Sequence, residues 1–316
     1  MGAVMGSKNL KAVAVRGKQG VRVADRRALE DTVRLMDESM RADAANYKSM
    51  TEFGTIGLTR KYNDVGMLPS YNFRQGTFPD MEGLYPENVK GRFLSRNRSC
   101  FACPLGCFYT YNVPDGPYAG TFGEHIELSG TTHAGPKIGN ADPALMVRVY
   151  HLLNDYGMDV MDATACIAFV VDCYEKGILS SGELGGLAPK WGDPETILTL
   201  IEMMAHRQGI GEILGDGLKK AAEAIGRGSE KYAMHSKGLS ITATDPRAGN
   251  AYGFAYSVAS RGADHCRSLV TCERVFDPEI AKILPSYKKA DPYSTDGKAE
   301  LVVFHENLRA VQNCLQ

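Results

Sequence analysis

The chain has 316 residues, enough for about two domains and a large buried core. With 36 Lys and Arg against 37 Asp and Glu its formal charge is −1, which excludes the strong positive field of a nucleic-acid binder or a polybasic membrane surface. At 44% apolar and 23% charged residues the composition also excludes a disordered chain.

In chain order, Leu10 to Val23 alternates small apolar and basic residues around Gly17-Lys18-Gln19-Gly20, predicting two short strands joined by a turn. Lysines interrupt the first twenty residues, so they read as neither a signal peptide nor an anchor, and a cytoplasmic protein is expected. From Asp25, an N-cap, the pattern turns helical, with Leu29, Val33, Leu35 and Met36 on a polar-faced segment. Gly54 to Ser99 is rich in Gly, Pro, Asn and Tyr and is too long for an ordinary connection, so it is expected to be functional or packed over something. Asp142-Pro143 opens a helix through Leu145, Val149 and Leu152 that Gly157 stops. Val160 to Glu175 is apolar nearly all round and reads as a buried helix. Asp193-Pro194 repeats the cap ahead of Ile197 to His206, and Ile213 to Ile225 continues as an amphipathic helix. The predicted fold is mainly α and multihelical, with no strand after the first segment. Units are expected at 1–22 (a β remnant), 23–230 and 231–316. The longest apolar run, Ala163 to Val171, is about half the length of a spanning helix, so no membrane segment is expected.

Eight cysteines in a reducing compartment read first as metal ligands or redox groups. Cys100-Phe-Ala-Cys103-Pro-Leu-Gly-Cys107 places three thiols in one tight loop, as chains do around a [4Fe–4S] cluster whose fourth ligand comes from elsewhere. A structural zinc site and a set of unligated thiols are the alternatives. Glu124, His125, Glu127 and His133 follow and could exchange protons at a redox centre, or be solvated or structural. Asn154 to Asp159 could aim polar atoms at a ligand, though a helix C-cap followed by an N-cap explains the same residues. Asp245-Pro-Arg247-Ala-Gly and Ser260-Arg261-Gly-Ala-Asp264-His265, with Arg267, combine small residues and planar donors suited to a rigid anionic or amide-like ligand. The alternative is aspartates paired with neighbouring arginines. Cys166 and Cys173, seven residues apart on the apolar helix, read as core.

Taken together and in order, Gly2-Ala-Val-Met-Gly-Ser-Lys-Asn-Leu-Lys11, the Cys100 to Cys107 loop, Gly157-Met158-Asp159, Lys237-Gly-Leu, Asp245-Pro-Arg-Ala248 and Arg261-Gly-Ala-Asp-His265 resemble the tungsten-containing aldehyde:ferredoxin oxidoreductase family through nearly the whole chain. The resemblance implies a tungsten ion held by two pterins, a nearby [4Fe–4S] cluster, and an N-terminal β domain followed by two helical ones. It implies Cys100, Cys103 and Cys107 as cluster ligands, and Asn154, Gly157, Met158 and Asp159 as a pterin motif. His265 becomes the histidine near the metal and Arg267 a neighbour of the pterin, with Asp245 and Arg247 beside it.

The chain departs from the family pattern in several places. Asn154 stands where the family has aspartate, bringing a donor in place of a charge. The family's fourth cluster ligand would fall just past Asn313-Cys314-Leu315-Gln316, and the opening motif would lie inside a β domain, so a fragment, inactive alone, is expected. Gly123-Glu-His-Ile-Glu127 replaces Gly-Pro-Glu-Tyr-Glu-Thr: Glu127 matches the first glutamate, the tyrosine and second glutamate are lost, and His125 and His133 bring imidazoles. The leading expectation is oxidation of an aldehyde, with electrons passed to ferredoxin or another low-potential carrier by a homodimer or a subunit of a larger complex. The alternatives are reduction of an aromatic acyl-CoA, as in the benzoyl-CoA reductase branch, and a non-catalytic zinc-binding helical protein.

Overall fold

A computed structural model describes residues 2–314, and Leu315 and Gln316, where the expected ligand register ends, lie outside them. The helices are α1 (Gly2–Ser7), α2 (Arg26–Ala42), α3 (Ala44–Phe53), α4 (Thr59–Asp64), α5 (Pro86–Phe93), α6 (Leu128–Ala134), α7 (Pro143–Asp155) and α8 (Val160–Glu175). They continue as α9 (Pro194–His206), α10 (Gly211–Leu214), α11 (Leu218–Ile225), α12 (Asn250–Val258), α13 (Pro278–Ile283) and α14 (Lys298–Cys314). The mainly α, multihelical fold agrees with the composition and periodicity.

α8 is the centre of the larger apolar core. Cys166, Ile167, Phe169, Val170 and Cys173 are all buried, and Leu145, Val149 and Leu153 of α7 and Ile197, Leu200 and Ile201 of α9 join the same cluster. Gly157, at φ +67°, takes the left-handed turn that ends α7 and lets Asp159 cap α8 by accepting from Asp162 N at 2.9 Å. A second cluster gathers Tyr252, Tyr256, Val270, Leu301 and Val302 around α12 and α14. Residues 54–93 do pack over something: Leu68, Phe78, Met81 and Leu84 close the first core.

Three readings of the sequence are corrected. Residues 10–23 form no strand and are exposed, because alternation without a neighbouring strand leaves the backbone with no partner. A sheet exists instead where none was expected: β1 (Leu94–Arg98), β2 (Phe108–Asn112) and β3 (Phe122–Glu124) run antiparallel in that order, with a bulge between Leu94 and Arg96. A two-stranded ladder, β4 (His235–Ser236) with β5 (Leu239–Ser240), follows later. The single helix expected from Ile213 to Ile225 is two, α10 and α11, because Gly217 at φ +97° breaks the helical path.

Asp193 caps α9 twice, accepting from Thr196 N at 2.8 Å and from Thr196 Oγ1 at 2.7 Å. Asp193→Ala is expected to cost about 1 kcal/mol, read as a lower urea midpoint at unchanged slope; an unchanged midpoint would mean that the cap contributes nothing.

Candidate redox centre

The cysteine loop is the turn of the β1–β2 hairpin. Cys103 N donates to Cys100 O at 3.1 Å, and Ala102 (φ +57°) and Gly106 (φ +59°) turn the chain left-handed on either side of Cys103. Asn97 fastens the base, its Nδ2 donating to Thr51 O at 2.8 Å and Gly106 O at 3.4 Å. The loop also lies against Gly54, where any Cβ would come within 2.1 Å of Cys107 O, so only glycine permits this approach. Cys100 is exposed, Cys103 and Cys107 are half-buried, and all three are free thiols.

Burial pushes the Cys107 thiol up, reinforced by Cys103 and then by Cys100 and Glu127. Three thiols in one loop become stable thiolates when a cation lies among them, so the donor set fits a metal centre. Their sulfurs are not drawn together within 4.8 Å. A single zinc ion would hold its thiolates about 3.8 Å apart, given Zn–S bonds of about 2.3 Å.

Glu127 sits at the N-terminus of α6 and binds His125 through Oε1 and Nε2. The His125 contact holds the carboxyl of Glu127 below its ordinary range, and His265 adds to this. The same contact raises His125 above 6.5. His125 itself is at φ +70°, its carbonyl accepting from Tyr150 Oη and its N–H donating to Tyr109 O at 2.8 Å. A non-glycine residue held there is strain imposed by its surroundings. Burial lowers His265, whose Nδ1 is enclosed without a partner, while Cys266 Sγ lies 3.5 Å from Nε2. Glu127 acts electrostatically on Cys107, His265 and Cys266 alike. Glu127 is thus within electrostatic reach of the cysteine loop and of the histidine, which come from separate parts of the chain.

The pH consequence follows in sign. His125, raised when folded, contributes stability that is complete below about 6.5 and is lost as pH rises through its folded value. Glu127, lowered, contributes stability that is present above about 4.5 and is lost as pH falls through its folded value. Protection of the 122–128 amides, corrected for intrinsic exchange, should be greatest between those limits, and a pH-independent protection factor would show that the pair does not hold the segment.

Not every candidate joins the centre. Glu124 is exposed on β3, 3.9 Å from Arg98 Nε. His133 is fully buried on α6, with Nδ1 3.2 Å from Thr164 Oγ1. Asn154 Nδ2 donates to Tyr150 O at 2.7 Å, Met158 is half-buried, and Gly157 and Asp159 make the α7–α8 junction. Asp245 is buried against Arg247 at 2.6 Å, and Arg247 Nη2 also donates to Phe73 O at 2.7 Å. Arg267 and Arg261 both lean on Asp264, at 3.7 and 2.9 Å. The aspartate–arginine pairing thus exists. Buried side-chain atoms without a hydrogen-bond partner include Asp162 Oδ1, Thr131 Oγ1, Thr132 Oγ1, His133 Nε2, His265 Nδ1 and Ser268 Oγ.

Two residues escaped the sequence reading. Tyr150 backs His125, and burial followed by the Glu127 charge pushes its hydroxyl up to about 12. Lys137 is fully buried, for which the only sequence signal is its small, apolar setting Ala134-Gly-Pro-Lys137-Ile-Gly139.

The helical body thus carries a three-cysteine hairpin, and Glu127 acts electrostatically on both its Cys107 and His265. The match to known families is consistent: residues 31–316 fit the model of aldehyde ferredoxin oxidoreductase, domains 2 and 3, and the chain belongs to that family. It is 31% identical over 315 residues to the tungsten-containing aldehyde ferredoxin oxidoreductase of Pyrococcus furiosus, covering 98% of this chain and 49% of the relative. It is 28% identical over 290 residues to the WOR-like subunit of an aliphatic sulfonate oxidoreductase from the same organism, covering 89% and 46%. The chain thus spans about half the length of the curated relatives it matches. A solved chain from the active-site complex of benzoyl-coenzyme A reductase with 1,5-dienoyl-CoA shares the fold at TM-score 0.76 and 21% identity, over 98% of this chain and 52% of that one. Among the described residues no helix is long and apolar enough to cross a membrane.

Proposed function

We propose that this chain is the helical half of a tungsten-bispterin, [4Fe–4S]-dependent oxidoreductase that oxidises an aldehyde to a carboxylic acid and passes the electrons to ferredoxin or a similar carrier. The observation that carries the reading is the three-cysteine hairpin turn, with Cys107 and His265 both within electrostatic reach of Glu127. Cys100, Cys103 and Cys107 would hold the cluster. The α7–α8 junction at Asn154, Gly157, Met158 and Asp159, with Asp245, Arg247 and Arg267, would bound the pterins. When bound, these groups supply the two-electron couple, oxygen transfer from water and one-electron steps to the carrier.

The chain's own residues manage protons. Glu127, held below the ordinary range, is ionised at neutral pH and acts as a base at the oxygen not bound to His125. His265, lowered by burial, is neutral and can take a proton at its unpartnered Nδ1.

A second reading, reduction of an aromatic acyl-CoA within a larger complex, is favoured by the imidazoles of His125 and His133 where the family pattern has other residues, since ring reduction consumes protons. Full-length protein purified without oxygen separates the two. Aldehydes with an oxidised viologen or ferredoxin should give turnover under the first reading, and an aromatic acyl-CoA with a strong low-potential reductant under the second. Turnover of neither contradicts both.

A further inference from the structure

We propose that the tip of the cysteine hairpin is the docking surface for an acidic iron–sulfur carrier protein, which seats on Phe101 and is steered by Arg96 and Lys48. The inference deepens the redox reading above, which it needs for the electron but not for the binding.

The hairpin ends in apolar surface. Phe101 stands between Cys100 and Cys103 and is fully exposed, and Ala102 and Pro104 beside it are exposed as well. The fastening of the hairpin through Asn97 Nδ2 does not use the Phe101 ring, so the ring is free to serve a contact outside the fold. A partner that covers it gains the apolar area it removes from water.

Cations stand around this tip. Arg96 and Arg98 are exposed on β1, the edge strand of the sheet. Arg98 is partly neutralised by Glu124, 3.9 Å away. On α3, Tyr47 Oη donates to Pro104 O at 3.5 Å, which places that helix beside the loop, and the next residue, Lys48, is exposed. Among the described residues neither Arg96 nor Lys48 has a carboxylate within 4.0 Å. An apolar centre with a charged rim is the anatomy of a protein interface, and unpaired rim charges act mainly on the rate and choice of encounter. The small area suits a transient electron-transfer complex, which buries less than about 1,200 Å².

Together these features select the occupant. The unpaired cations call for an acidic protein, and the thiols call for one that exchanges electrons. A carrier seated on Phe101 stands one residue from Cys100 and two from Cys103. Each oxidised carrier gains one electron as the centre loses one; no bond forms or breaks, and the two electrons of an aldehyde load two carriers in turn.

The test uses the full-length holoenzyme with Arg96→Glu, Lys48→Glu and Phe101→Ser, each checked for unchanged far-ultraviolet dichroism and metal content. Calorimetry measures binding of an acidic [4Fe–4S] ferredoxin, with cytochrome c as a basic control that should not bind. The Kd for ferredoxin should rise about tenfold or more in each charge variant at low salt, and its dependence on salt should flatten. Phe101→Ser should weaken binding at low and high salt alike. Turnover of an aldehyde with a viologen should be unchanged in all three. A parent that does not bind ferredoxin, or variants that bind it as the parent does, overturn the proposal. Loss of stability in the variants with unchanged ferredoxin affinity shows the tip to be covered by the protein's own chain, and overturns it too. If binding is lost as expected but neither ferredoxin nor viologen is reduced, the redox reading fails and the docking surface stands. Viologen turnover with ferredoxin binding that the variants leave intact upholds the redox reading and removes the surface.

Discussion

Replacing Cys103 with alanine in the full-length protein is expected to remove iron and the broad visible absorption together, and to lower turnover more than about 100-fold. Altering even a group behind a metal ligand costs about 10- to 100-fold in affinity or activity, and loss of a ligand itself should exceed that. The hairpin should survive, because its fastening does not use the thiol: Asn97 holds Thr51 O and Gly106 O, and Gly54 abuts Cys107 O. Far-ultraviolet dichroism should therefore be unchanged. Iron content equal to that of the parent would show that Cys103 is not a ligand.

Glu127→Gln should leave the metals in place and lower kcat by about 10² to 10⁴, the usual contribution of a general base. The amide keeps the shape of the side chain but cannot take a proton. It also withdraws the contact that raises His125, so that ring should titrate closer to 6.5 in the variant. The combined result, slower turnover with a downward His125 shift and unchanged metal content, identifies a base; an unchanged kcat removes Glu127 from the chemistry.

Local signals were legible in the sequence and non-local ones were not. Asp142-Pro143, Gly157, Asp159 and Asp193-Pro194 act within a few residues, and the structure shows each cap and turn as the sequence implies. β1 was invisible because Leu94-Ser-Arg-Asn-Arg98 has too little apolar alternation to mark a strand, and its pairing with β2 is set by contacts such as Ser95 Oγ to Thr110 Oγ1 at 2.9 Å. Leu10 to Val23 has the alternation but no neighbour in the sheet. At the site, the cysteine spacing announced itself. The residues by themselves did not join Glu127 to His265; only the family resemblance assigned both to one centre. Lys137 was the hardest case: a lysine reads as solvated until its surroundings are known.

The central claim is that the hairpin and the α7–α8 junction belong to a redox centre. It is tested most directly by metal analysis with visible and electron paramagnetic resonance spectra of full-length protein purified without oxygen. Iron and tungsten together, a broad absorption bleached by dithionite and a reduced-cluster signal are predicted; a colourless protein holding zinc alone would contradict the account.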